Sequence, residues 1–67
     1  MITIMVNESQ IEVDEKTTIH QLLRKVNTSI NGIAVALNDN IVSRNQWDTM
    51  FLNQEDNILI IKATQGG

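Results

Sequence analysis

Side chains that usually carry chemistry are sparse in this chain. Among its 67 residues there is no Cys and a single His, at position 20. His20 has no second His to make a metal pair and no Ser or Cys set around it for nucleophilic catalysis. It falls off the apolar face of its helix and reads as a solvated surface side chain. Asp14 and Glu15 are adjacent, in a turn ahead of that helix. Facing carboxylates for acid–base work usually come from different elements, so this pair reads as a lead into the helix. Glu55 and Asp56 read as turn residues by the same logic. Gly32 stands alone, with no Gly-rich phosphate loop around it. The end of the chain, IIKATQGG, is different. Gly66 and Gly67 are two of only three glycines. The terminal carboxylate of Gly67 is the one unhindered acyl group. Two residues without a Cβ can lie extended in a narrow channel while another protein's active site closes around them. A carboxylate presented in that way can be activated by ATP and handed to a nucleophile. The candidate reactive group is therefore Gly67, with Gly66 as the slender approach to it. No side chain is assigned to catalysis or to a metal.

The elements that must present this end follow from apolar spacing. ITIMV (2–6) is rich in β-branched residues and reads as a strand. NESQ (7–10) is turn chemistry, and IEV (11–13) alternates as a second, antiparallel strand. In TIHQLLRKV, Ile19, Leu22, Leu23 and Val26 share one helix face. Thr17 or Thr18 is placed to cap that helix, which should run about ten residues. NTSING (27–32) is a loop in which Gly32 supplies a positive φ. IAVAL (33–37) is a third strand. NDN (38–40) turns the chain into a short strand at Ile41 and Val42. SRNQWDTMF (43–51) is an irregular or 3₁₀ segment. After the turn QEDN (54–57), ILIIKA (58–63) is the last strand. The order β-β-α-β-β-β is that of a two-layer α+β domain, one sheet on one helix.

Strand alternation sorts the faces. Ile2, Ile4, Val6, Val35, Leu37, Ile58 and Ile60 should meet the helix. The reverse of a single-layer sheet is ordinarily polar. Here it presents Met5, Ala36, Leu59 and Ile61, an apolar patch of the kind that binds a partner. Trp47 and Phe51, four residues apart, are expected to close one end of the core together. Arg44 either pairs with an acid such as Asp48 or faces a partner.

The totals set further bounds. A domain of this length buries only about 60% of the surface its unfolded chain exposes, so its core is thin. No disulfide is available to staple it. The net charge is −3, and Lys16, Arg24, Lys25, Arg44 and Lys62 form no run, which disfavours nucleic-acid binding. No stretch approaches the roughly 20 apolar residues of a membrane span. The N-terminus lacks a basic region and a cleavage site, so the chain reads as cytoplasmic.

GIAVALNDNIVSRNQW (32–47) carries a more specific signal. It resembles the sulfur carrier proteins of thiamine biosynthesis, the ThiS family, which show a small-residue ALN strand, a turn, IV, then Arg and Trp at this spacing. Ser43 stands where many members have Pro. The resemblance continues through MVNESQ and the helix and covers nearly the whole chain. It implies a ubiquitin-like β-grasp fold with a single mixed sheet, formed by residues 1–63, and a flexible C-terminal tail at 64–67. It further implies that an E1-like adenylyltransferase, using ATP and Mg²⁺, converts the Gly67 carboxylate to an acyl-adenylate. A cysteine desulfurase or sulfurtransferase supplies the sulfur that makes Gly67 a thiocarboxylate, and thiazole synthase consumes it. The chain would be a carrier and co-substrate rather than an enzyme, monomeric when free, with no cofactor of its own. Met5, Ala36, Leu59 and Ile61 would be the docking patch, by analogy with the hydrophobic face of ubiquitin. Alternative readings are the small sulfur-carrier subunit of molybdopterin synthase, a ubiquitin-like protein modifier, or an interaction module with an incidental Gly-Gly.

Overall fold

A computed structural model describes residues 1–26, 28 and 31–62 of the chain. The elements are β1 (Ile2–Val6), β2 (Ser9–Val13), α1 (Ile19–Lys25), β3 (Ile33–Leu37), β4 (Asn40–Val42) and β5 (Asn57–Lys62), with a 3₁₀ turn at Arg44–Gln46. The strands make one five-stranded sheet in the order β2-β1-β5-β3-β4. β1 and β5 run parallel and the other neighbours antiparallel. This is the α+β fold of one sheet on one helix expected from the spacing, with the mixed sheet that the resemblance implies, and β5 is its middle strand.

Both hairpins close with two-residue turns. Val6 pairs with Ser9 across Asn7 and Glu8, and Leu37 with Asn40 across Asn38 and Asp39. The φ angles are 48° and 72° in the first turn, 50° and 73° in the second. Positive φ at both positions is type I′ geometry, whose twist matches that of the flanking strands. Asn tolerates this region because its short amide bonds locally, so neither turn needs glycine. Gly32, with φ 71°, takes the left-handed position just ahead of β3, as expected.

Thr18 caps α1 in a reciprocal box. The Gln21 N–H donates to Thr18 Oγ1 at 3.2 Å, and the Thr18 N–H donates to Gln21 Oε1 at 3.0 Å. Val26 is the C-cap, its N–H donating to the Leu22 carbonyl. The helix is thus seven residues long rather than about ten. The apolar stripe had counted Val26 as helical, but it is a boundary residue.

The core lies between α1 and one face of the sheet. It contains Ile4, Val6, Val13, Ile19, Leu22, Leu23, Val35, Val42, Trp47, Leu52, Ile58 and Ile60. Trp47 is only 4% exposed, and its Nε1–H donates to the Val42 carbonyl at 3.2 Å. Phe51 does not join it: Phe51 is 55% exposed and bridges Thr18 in a short antiparallel contact. Position 51 pairs its backbone with the start of the helix, which points Leu52 inward instead. Among the described residues, no helix is long and apolar enough to cross a membrane.

Candidate functional site

β5 is the last described element before the candidate reactive end, and the sheet holds it unequally on its two sides. On the β3 side the pairing is continuous from Ile58 to Lys62. On the β1 side it covers only Asn57 and Ile58, because the chain leaves β1 at Asn7 to form the hairpin. The Asn7 N–H donates to the Ile58 carbonyl at 3.0 Å. The Asn7 side chain then takes over. Its Oδ1 accepts the Ile60 N–H at 2.7 Å, and its Nδ2–H donates to the Ile60 carbonyl at 3.3 Å. The carboxamide thus mimics one more residue of β1.

The start of β5 is fixed by the other hairpin. The Asn38 N–H donates to the Asn57 carbonyl at 2.8 Å, and the Asn57 N–H donates to Asn38 Oδ1 at 2.9 Å. Asn38 Nδ2 also donates to Asp56 Oδ1 at 2.9 Å, and the Asn53 N–H donates to Asp56 Oδ2 at 2.7 Å. Asp56 is a turn residue, as expected, but a buried one that ties the turn together. Ala63, expected to end the last strand, and the tail with Gly66 and Gly67 lie outside the described residues.

The outer face of the sheet is divided. Toward β2 it is polar, with Gln10 opposite Met5 and Glu12 opposite Thr3. Toward β4 it is apolar. Leu59 pairs with Ala36, Ile61 with Ala34, and Ile41 with Ala36 from the far side. Leu59 is 47%, Ile61 43% and Ile41 68% exposed. Ala36, at 6%, is the floor between Leu59 and Ile41 rather than exposed surface. The structure therefore brings Ala36, Leu59 and Ile61 together and adds Ala34 and Ile41. Met5 shares the face but stands at its margin, between Gln10 and Asn57. Alternation alone missed Ile41, since the phase of a three-residue strand is set only by its pairing.

Other expectations sort differently. His20 is half-buried rather than fully solvated, and its Nδ1–H donates to the Asp48 carboxylate. Arg44 does not pair with Asp48; its guanidinium lies over the Trp47 ring, 5.9 Å from the centroid. Asp14 accepts the Thr17 N–H through its carbonyl, which fits a turn ahead of α1. Among the described residues no group of three or more His, Cys, Asp or Glu is placed to hold a metal.

A family model of the ThiS family matches residues 2–67. The chain belongs to the ThiS family. The sulfur carrier protein ThiS of Escherichia coli K12 is 31% identical over 64 residues, covering 96% of this chain and 97% of that one. A crystal structure of the thiamine biosynthesis protein ThiS of Geobacter metallireducens superposes with a TM-score of 0.83, over 98% of this chain and all of that one. A solution structure of a thiamine biosynthesis protein from the same organism gives 0.76, over 98% of this chain and 88% of that one. At 22% identity, both show a shared β-grasp fold. ThiS-family proteins are sulfur carriers of thiamine biosynthesis and not catalysts, and this chain is one of them.

Proposed function

We propose that the chain carries sulfur on the C-terminal carboxylate of Gly67. The observation that carries this reading is the family match running to Gly67, together with a middle strand that is the last described element before the Gly66-Gly67 end. An E1-like adenylyltransferase binds ATP and Mg²⁺; a Gly67 carboxylate oxygen attacks the α-phosphorus and pyrophosphate leaves. The resulting acyl-adenylate is a mixed anhydride whose AMP is a good leaving group. A persulfide, loaded by a cysteine desulfurase or sulfurtransferase, attacks the acyl carbon with its terminal sulfur and expels AMP. A second thiol then attacks the inner sulfur of the acyl disulfide. Gly67 is left as a thiocarboxylate, and the two thiol groups are left as a disulfide. Thiazole synthase takes the sulfur from that thiocarboxylate.

The chain's own part is presentation. Gly66 keeps the approach slender, residues 64–67 act as the presented end, and residues 1–63 act as the body. Leu59 and Ile61, with Ala36 as floor and Met5 at the margin, form the face that docks on the adenylyltransferase; Ala34 and Ile41 extend it. All of this takes place in the cytoplasm, with the free chain monomeric. Deletion of Gly67 tests the reading. The truncated domain should keep its fold and lose all sulfur transfer to thiazole. Undiminished thiazole formation by the truncated chain would refute an acyl carrier and favour a plain interaction module.

A further inference from the structure

We infer that Asn7 is a positioning residue that fastens the last stretch of β5, the strand that precedes the acyl-bearing end. This rests on the proposed function, in which Gly67 must reach a partner's active site while the outer face of β5 is docked. A strand residue points its N–H and C=O to the same side. Those of Ile60 point toward β1, which has already turned away, and both are bonded to the Asn7 amide. No other described hydrogen bond reaches Ile60 from that side. Asn7 is thus the last fastening of β5 on its β1 edge. It also borders the proposed docking face, because Ile60 separates Leu59 from Ile61. One side chain therefore couples the docked face to the last stretch of β5.

The coupling matters because the remaining reach is short. Residues 63–67 span at most about 17 Å when extended. A partner that grips Leu59 and Ile61 and draws in Gly67 needs those points at a fixed separation. Without the Asn7 amide, β5 is held beyond Ile58 by β3 alone, and a strand paired on one side opens more readily. The partner must then order that stretch itself on binding.

The test compares three variants of the full chain. Asn7→Gly keeps the positive φ and removes the amide. Asn7→Asp keeps an acceptor for the Ile60 N–H and loses the donor. Asn38→Gly removes a comparable set of side-chain bonds at the start of β5. Each is assayed with the adenylyltransferase below its melting temperature, alongside amide exchange at Ile60. Asn7→Gly should raise the apparent KM for the carrier by on the order of tenfold with kcat within about twofold, since the loss is in binding. It should also speed exchange at the Ile60 amide. Asn7→Asp should fall between Asn7→Gly and wild type, and it carries the comparison if Asn7→Gly does not fold. Asn38→Gly should lower the melting temperature and leave KM near wild type. An Asn7→Gly KM equal to wild type would overturn the inference. So would an Asn38→Gly KM raised as far, since Asn7 would then be merely structural. Wild-type chain that the adenylyltransferase does not activate overturns the proposed function instead, and this inference with it.

Discussion

Leu59 and Ile61 are half-exposed on a strand whose alternate residues are core, so a polar residue at either position should leave the fold standing. Ile58 and Ile60, one step away in each direction, are buried against α1 and admit no such change. Leu59→Asp places a carboxylate beside the Ala36 floor, where a docking partner would have to desolvate it. The expected result is a fall in adenylation kcat/KM of on the order of tenfold or more, with only a modest drop in melting temperature. Unchanged kinetics in Leu59→Asp and Ile61→Asp would remove the docking role from this face. Trp47 shows a different kind of residue-scale specificity. It fills the core, donates to the Val42 carbonyl and carries the Arg44 guanidinium on its ring. Sequence spacing found the aromatic pair, yet it could not distinguish which member turns inward.

Among the elements, α1 depends most on local chemistry. At seven residues it is too short to be stable alone. Its capping box and three buried side chains, Ile19, Leu22 and Leu23, hold it on the sheet. Thr18→Ala removes the Gln21 N–H acceptor and should cost about 1 kcal/mol, read from denaturant unfolding. A change near zero would show that the backbone pairing of Thr18 with Phe51 suffices. The strands, their order along the chain and the inward faces were legible because they depend on period and turn residues. The parallel meeting of β1 and β5 was not, since pairing between distant segments leaves no local mark. For the same reason nothing local marks Asn7 as serving β5. Asn in a type I′ turn is already explained by its φ, so its second role is visible only once Ile60 lies beside it. Asp56 was likewise recognisable as a turn residue, and its burial became visible only with Asn38 in place.

At the scale of the molecule, the proposed function separates a folded body from a chemical end. Three layers of constraint converge on β5: continuous pairing with β3, the two asparagines at its start and near its end, and the buried Ile58 and Ile60 beneath it. In the proposed function the chain offers its partners one apolar half-face and one acyl group, and a carrier needs no catalytic side chain of its own. The proposed carriage on a backbone carboxylate would account for sulfur transport without cysteine. The proposed function turns on one atom. Intact and fragment mass spectrometry of the chain, after incubation with the adenylyltransferase, ATP, Mg²⁺ and a sulfur source, reads it directly. The account predicts one oxygen replaced by sulfur, located on Gly67. An unmodified C-terminus in the presence of an active partner, or sulfur found elsewhere on the chain, would contradict it.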